Sequence, residues 1–253
     1  MDASGHAAIV TGGASGLGKA TAEALIEAGA KVALLDIDVD KTRDAAAEIG
    51  ALGLACDVTD AASGEAAVAE ARAAQGPARI LVNCAGVGPA KRIVGRDGPL
   101  ALDWFERVIA VNLTGTFNAM RLAAADMIGL EPLAGDERGV IVNTASVAAT
   151  EGQVGQAAYA ASKGGVAAMT LPAARELARF GVRVNTISPG LFATPMMFAL
   201  PEEVQESLGK SVPFPNRLGT AEEYAALALH IVANQMINGE VIRLDGALRM
   251  APK

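Results

Sequence analysis

Cysteine and aromatic residues are scarce in this chain: 253 residues contain two cysteines, Cys56 and Cys84, and only 4% are aromatic. So few cysteines exclude a disulfide framework. Each falls in or just after an apolar run that reads as a buried strand, so the pair reads as core filler in a reducing compartment. The low aromatic content leaves an Ala- and Gly-rich remainder suited to close packing of helices on a sheet, and 51% hydrophobic residues suffice for a sizeable core. An excess of positive charge is missing too. Lys and Arg number 21 against 28 Asp and Glu, a formal net charge of −7, which argues against a nucleic-acid partner, whose binding needs a concentrated basic face. Apolar runs are broken by Gly, Pro or charge before they reach the ~18 residues of a membrane span. Met1 to His6 lacks the basic start and long apolar run of a secretory leader. The expectation is a cytoplasmic protein with no membrane partner and no metal site. No linker, composition break or fixed-period repeat divides residues 1–253, which read as a single domain.

Strands are predicted near residues 7–11, 32–36, 53–56, 79–83, 139–145, 182–187 and 240–244, separated by helical stretches. That alternation predicts an α/β fold, a doubly wound parallel sheet of about seven strands flanked by helices. Between the first apolar run, Ala7-Ala-Ile-Val10, and a helix-like segment from Lys19 to Ala28 lies Thr11-Gly-Gly-Ala-Ser-Gly-Leu-Gly18. Strand, glycine turn and helix in this order suit a dinucleotide pyrophosphate. Gly12, Gly16 and Gly18 permit a tight turn and close backbone approach, and the helix N-terminus offers unpaired N–H groups. Ser15 and Leu17 lie in the same turn and join the candidate cofactor contacts. The next strand, Lys31-Val-Ala-Leu-Leu-Asp36, ends in a carboxylate 20 positions after Gly16. An acidic group there accepts hydrogen bonds from an adenosine ribose diol and repels a 2′-phosphate. Asp38 adds negative charge, and Ser15 and Ile37 stand where a phosphate-binding Arg or Lys would serve NADP, so NAD is the expected cofactor. Lys41 and Arg43 read as the exposed first turn of the following helix.

Tyr159 and Lys163 are four apart, a spacing that stacks both on one helix face, so that the ammonium lies beside the phenol and favours its ionised form. A free phenol near pKa ~10 is a poor base at neutral pH, and a proton-relaying tyrosine needs such a neighbour. The segment from Gly155 to Thr170 reads as that helix and is rich in small residues. Ser146 ends a different element, the β-branched run from Val140, and strand carboxyl ends are where open α/β sheets bind ligands. Ser146 is expected to face Tyr159 across a cleft, an arrangement suited to carbonyl/alcohol redox chemistry.

With these residues in hand, the chain resembles the short-chain dehydrogenase/reductase family from end to end, which implies one Rossmann-like domain. Asp57-Val58 is similar to the pair that contacts the adenine. Asn83-Cys-Ala-Gly86 is similar to the family's NNAG element, with Asn83, Ala85 and Gly86 implied at the cofactor and Cys84 departing from the usual second asparagine. Asn112, in Val111-Asn-Leu-Thr-Gly115, matches the asparagine that holds a water in the proton relay. Pro189-Gly-Leu-Phe-Ala-Thr194 resembles the PGxxxT stretch that closes over the nicotinamide and pyrophosphate, which implies contacts from Pro189, Gly190, Leu191 and Thr194. The resemblance thus implies Ser146, Tyr159, Lys163 and Asn112 as the catalytic set, with Tyr159 and Lys163 also touching the cofactor.

A narrower likeness covers the second half. Val140 to Tyr159, Pro213 to Gly219 and Asn238 to Gly246 are similar to the type II 3-hydroxyacyl-CoA dehydrogenases. What this implies is NAD-dependent oxidation of short (S)-3-hydroxyacyl-CoA esters in fatty acid metabolism by a homotetramer. The long helices near 102–127 and 154–179 would pair across one interface, and the run from Val241 to Met250 would form another. An NAD-dependent hydroxysteroid or other secondary-alcohol dehydrogenase, and a non-catalytic scaffold, stand as alternatives.

Two loops bear on substrate. The stretch Val87 to Leu100 carries Lys91, Arg92 and Arg96, read either as contacts for the phosphates of a CoA ester or as a solvated loop. The Met-rich segment near 191–210, with Phe192, Met196 and Met197, is expected to form a lid, since methionines adapt to varied acyl shapes; plain core packing is the alternative. Gln153 and Gln156 read either as hydrogen-bond partners of a thioester carbonyl or as caps of the helix that follows.

Overall fold

The structure is a computed structural model that describes residues 1–96 and 98–253. Its first half alternates strands and helices: β1 (Ala7–Thr11), α1 (Gly16–Glu27), β2 (Lys31–Asp36), α2 (Val39–Ile49), β3 (Leu52–Ala55), α3 (Ala61–Gln75) and β4 (Ile80–Asn83). A two-stranded hairpin follows, β5 (Val94–Gly95) and β6 (Gly98–Pro99), then α4 (Leu102–Ile109), a π-helical turn (Ala110–Thr114) and α5 (Gly115–Ile128). The second half holds β7 (Gly139–Thr144), α6 (Ala148–Glu151), α7 (Ala157–Ala178), β8 (Val182–Pro189), α8 (Pro195–Phe198), α9 (Glu202–Lys210), α10 (Ala221–Ala233) and β9 (Val241–Leu244).

The main sheet is seven-stranded and parallel, in the order β3-β2-β1-β4-β7-β8-β9. It is buried on both faces, and that explains why its strands read as continuous apolar runs. Val10, Val82 and Val142 face α1 and α10, where Leu25, Tyr224 and Ile231 complete one core layer. Ile9, Leu81 and Ile141 face the other way, onto Val68 of α3, Met120 and Met127 of α5 and Ala174 of α7. Both cysteines are free, Cys56 buried in the second layer and Cys84 half-buried beside the first.

Every strand lies within a residue or two of its expected position, but three features differ. The stretch from Val87 to Leu100 contains the β5–β6 hairpin, and Lys91 stacks its ammonium 5.4 Å from the centroid of the Trp104 ring. The helix expected over 102–127 is interrupted by the π turn at 110–114. The run from Val241 to Met250 is strand only to Leu244, and its Arg243 and Arg249 both form ion pairs with Asp245 and Glu151. Among the described residues no helix is long and apolar enough to cross a membrane.

A row of polar side chains crosses the sheet near its carboxyl ends. Thr11, Asn83, Asn143 and Thr186 are partners in register on four neighbouring strands. Thr11 Oγ1 donates to Asn83 Oδ1 at 3.2 Å, and Asn83 Nδ2 donates to Asn143 Oδ1 at 2.9 Å. The Asn83 side chain is almost wholly buried and is occupied in tying strands together.

Candidate active site

The glycine turn closes between β1 and α1. Gly12 adopts a left-handed φ of 65°, and a methyl group on its Cα would lie 2.6 Å from the Ala85 nitrogen. At Gly18 a methyl would lie 2.1 Å from the Gly12 carbonyl oxygen. The first position thus needs both the conformation and the space of glycine, and the second needs the space. Ser15, the exposed N-cap of α1, makes no side-chain capping bond, so the first-turn N–H groups of Gly16, Leu17 and Gly18 face outward at the positive end of the helix. Asp36 ends β2 with its carboxylate turned toward this turn, accepting from the Ala14 N–H at 3.2 Å. Asp38 is occupied differently: it caps α2 at the Lys41 N–H and pairs with the Lys41 ammonium at 2.9 Å. Lys41 is therefore the first-turn surface residue its position suggested.

The other candidate cofactor residues ring the same end of the sheet. Asp57 Oδ1 accepts from the N–H and hydroxyl of Thr59, and Val58 packs against Gly115. The Ala85 N–H donates to Thr11 Oγ1. Pro189 ends β8, Gly190 lies flush against Asp245, and the Leu191 carbonyl accepts from the Gly219 N–H. Thr194 and Pro195 come down onto the glycine turn, where a methyl on Gly16 would lie 3.0 Å from Pro195 Cδ and 3.8 Å from Thr194 Cβ.

Ser146, Tyr159, Lys163 and Asn112 come from three separate elements. Ser146 follows β7 and accepts from the Ala148 N–H. Tyr159 and Lys163 share a face of α7, with the lysine Nζ 5.9 Å from the tyrosine ring centroid. Lys163 is buried, and its ammonium donates to the Thr144 carbonyl at 2.7 Å. Burial pulls its pKa down to about 8, since a low-dielectric surrounding penalises the charged form. The same burial pushes the Tyr159 phenol up, with the Ser146 hydroxyl acting in the opposite direction. The expected lowering of the phenol by the lysine does not appear: burial leaves the phenol above its ordinary value, and the lysine's nearest partner is a strand carbonyl.

Asn112 sits in the π turn with no exposed surface. Its Oδ1 accepts from the Val87 N–H at 2.8 Å, and its Nδ2 donates to the Val87 carbonyl and the Ser162 hydroxyl. Both amide hydrogens are used internally, so a water held here would bond to oxygen. A methyl on Gly86 would lie 3.2 Å from Asn112 Oδ1 and 3.4 Å from Lys163 Nζ, which brings the two groups together on one side of a tightly packed backbone. Ser162, passed over in the sequence, is buried between Asn112 and the Tyr159 carbonyl. Its only sequence signal is a hydroxyl three residues after the tyrosine on a small-residue helix.

The candidate substrate residues divide. Met196 reaches the site: a methyl on Gly88 would lie 2.5 Å from Met196 Sδ and 3.6 Å from Tyr159 Cε2, so the thioether stands one glycine away from the phenol ring. Met197 is half-buried beside it. Phe192 departs from its expected substrate role, because its ring is buried in the core against Gly219. Gln153 and Gln156 are held in the turn before α7. Gln153 Nε2 donates to the Ala251 carbonyl, and Gln156 Oε1 accepts from the Gln153 N–H, so each amide has one bond in the turn before α7 or to the C-terminal tail. A cavity at the opposite end of the sheet, lined by Gly135, Glu137, Arg183, Gln235 and Asn238, holds none of the candidate groups.

The short chain dehydrogenase family profile matches residues 6–205. The 3-hydroxyacyl-CoA dehydrogenase type-2 of Bos taurus is 52% identical over 98% of this chain and 97% of its own length, and that of Homo sapiens is 51% identical over the same shares. The crystal structure of 3-hydroxyacyl-CoA dehydrogenase type-2 from Mycobacterium avium superposes with a TM-score of 0.92 at 44% identity, covering 98% of both chains.

Proposed function

The chain belongs to the short chain dehydrogenase family and is an oxidoreductase, and from that premise we propose that it transfers hydride between NAD and the secondary alcohol of an (S)-3-hydroxyacyl-CoA, forming the 3-oxoacyl-CoA. The observation that carries this reading is the meeting of side chains from three elements: the Ser146 hydroxyl at the Tyr159 phenol, Lys163 beside the same ring, and Asn112 next to Lys163 at Gly86. The relatives named above support the substrate class.

The residues present fit a dinucleotide, because the Gly12 and Gly18 positions exclude any Cβ and the N-terminus of α1 is open. Gly12, Ser15, Gly16, Leu17 and Gly18 would hold the pyrophosphate, Asp36 the adenosine ribose, and Lys163 the nicotinamide ribose. When bound, the nicotinamide supplies the hydride acceptor. Ser146 holds the substrate oxygen, and Tyr159 takes the hydroxyl proton during oxidation. A phenol raised by burial stays protonated at neutral pH and its tyrosinate is costly to form, so the forward direction relies on the Lys163 charge to stabilise that tyrosinate. In reduction the same phenol donates the proton. Asn112 lies beside Lys163 as the anchor for a water that returns protons to solvent.

The segment 191–210 acts as a lid, an assignment supported by Met196 beside Tyr159 and by the seating of Pro195 on the glycine turn. The exposed Phe117 and Ile128 of α5 and Leu171 of α7 support pairing of these helices in a homotetramer, and the cytoplasm is the proposed location. The test is NADH formation at 340 nm from NAD and (S)-3-hydroxybutyryl-CoA, with a hydroxysteroid and NADP as parallel arms. Turnover of the CoA ester with NAD is expected. Turnover of the steroid alone would overturn the substrate, and preference for NADP would overturn the role of Asp36.

A further inference from the structure

Lys163 is held by a residue that belongs to none of the recognised motifs. Tyr224, on α10, has no exposed surface, and its hydroxyl lies 2.6 Å from Thr144 Oγ1. The hydrogen of the Thr144 hydroxyl goes to the Asn83 carbonyl, also at 2.6 Å, so Tyr224 is the donor in the first contact. Cys84 Sγ stands 3.8 Å from the Tyr224 oxygen and supplies the thiol hydrogen to it. The chain therefore runs one way, from the Cys84 thiol to the Tyr224 hydroxyl, to the Thr144 hydroxyl, to the Asn83 carbonyl. The main-chain carbonyl of the same Thr144 accepts the Lys163 ammonium at 2.7 Å. Two residues further on, the chain reaches Ser146.

A phenylalanine would fill the apolar niche on α10 as well as a tyrosine. What the hydroxyl adds is a pin on the end of β7, at the residue that presents a carbonyl to Lys163 and leads to Ser146. We propose that Tyr224 is a positioning residue for hydride transfer: through Thr144 it fixes both the carbonyl that holds Lys163 and the strand end that carries Ser146. This rests on the catalytic reading of Lys163 and Ser146 given above. It also accounts for Cys84, since a sulfur at the family's second asparagine position reaches Tyr224 and Thr144 together. Around Lys163 the titratable groups are Tyr159 on its own helix and Cys84 at the end of β4; Tyr224 acts one residue removed.

Tyr224→Phe keeps the ring and removes the pin. Sub-ångström drift of Lys163 and Ser146 is expected to lower kcat roughly tenfold, given that misplacements of about 1 Å cost ~10²-fold. It is also expected to weaken NADH binding severalfold, read by fluorescence titration, and to shift the Lys163 midpoint in the pH profile of kcat. Thr144→Val is expected to reproduce these effects, Thr144→Ser to restore wild-type values, and the double variant Tyr224→Phe/Thr144→Val to be no worse than either single one. A purely structural tyrosine would lower the melting temperature and leave kcat, NADH affinity and the pH midpoint unchanged. That result, or additive losses in the double variant, overturns the proposal. Should Tyr224→Phe not fold, the contrast between Thr144→Val and Thr144→Ser decides, and equal activity in those two overturns it. Wild-type protein that binds no NADH would instead fail the parent reading.

Discussion

Replacing Lys163 by methionine is expected to inactivate the protein and to make it more stable at neutral pH. The lysine is buried, and its pKa lies at about 8 against an ordinary 10.5. At ~1.36 kcal/mol per unit, that difference of about 2.5 units opposes folding by roughly 3 kcal/mol wherever the folded protein carries the charge. Methionine matches the length of the stem and needs no desolvation of charge, but the Thr144 carbonyl loses its donor, a loss of ~1–3 kcal/mol for a buried acceptor. The balance at pH 7 is a gain of about 0–2 kcal/mol for the variant.

The pH dependence separates this from ordinary core repacking. Folded Lys163 releases its proton near pH 8 and unfolded Lys163 near 10.5, so between those values the unfolded chain holds more protons and the stability of the wild type rises with pH. The penalty is complete below pH 8 and gone above 10.5. The advantage of Lys163→Met should therefore shrink by roughly 3 kcal/mol across that window and reverse, leaving the wild type ahead by the hydrogen bond. For a chain of this size 1 kcal/mol moves the melting temperature by about 2–4 °C, so the difference between the two melting curves should fall by about 6–12 °C. Tyr159, Cys56 and Cys84 are also raised by burial, but both proteins carry them and the difference curve removes their contribution. Thermal unfolding followed by circular dichroism from pH 7 to 10.5 measures it. A melting difference that stays flat or grows with pH would refute the reasoning.

Two further substitutions test other parts of the structure. Glu137→Gln leaves Arg183, now paired at 2.8 Å and 7% exposed, as a buried guanidinium without its counter-charge; a loss of about 3–5 kcal/mol is expected in urea unfolding, and a change below ~1 kcal/mol would mean that the carbonyls of Ile231, Val232, Asn234 and Ile237 suffice to hold it. Gly18→Ala places a methyl 2.1 Å from the Gly12 carbonyl, so the turn must open; NADH affinity is expected to fall by more than about tenfold, since backbone N–H groups at a helix N-terminus bind phosphate only in register, and unchanged affinity in a folded variant would remove the turn from the cofactor site.

The parts of the fold that sequence reveals are those governed by short-range physics. A parallel strand buried on both faces must be apolar along its length, so β1, β4 and β7 announce themselves within a residue or two. The glycine turn is legible because Gly12 must adopt a left-handed φ and Gly18 must leave room for a neighbouring carbonyl. Tyr159 and Lys163 are legible because one helical turn separates them. The π turn at 110–114 left no such trace: the residues after Leu102 keep a helical period, and the bulge comes from Asn112 turning inward to Val87, 25 residues earlier.

The same division explains where the chemistry was misjudged. From spacing alone Lys163 appears as a charge beside a phenol, and the charge alone would lower the phenol's pKa. In the folded chain both groups are removed from water, which raises the phenol and lowers the lysine, so neutral forms are favoured together and the ionised pair must be held against a desolvation cost. What holds the ammonium is a carbonyl on a strand 19 residues away, in turn fixed by a tyrosine 80 residues further along the chain. Gln153 is likewise claimed by a carbonyl 98 residues distant. Sequence spacing can place two side chains on one helix face, but the dielectric that sets their protonation and the carbonyl that holds the ammonium come from elements that meet only when the sheet has closed. A proton-relay site of this kind is therefore identifiable from a tetrapeptide and tunable only from outside it. Changes in the pH profile are accordingly expected from Thr144 and Tyr224 too, although their side chains never touch the reacting atoms.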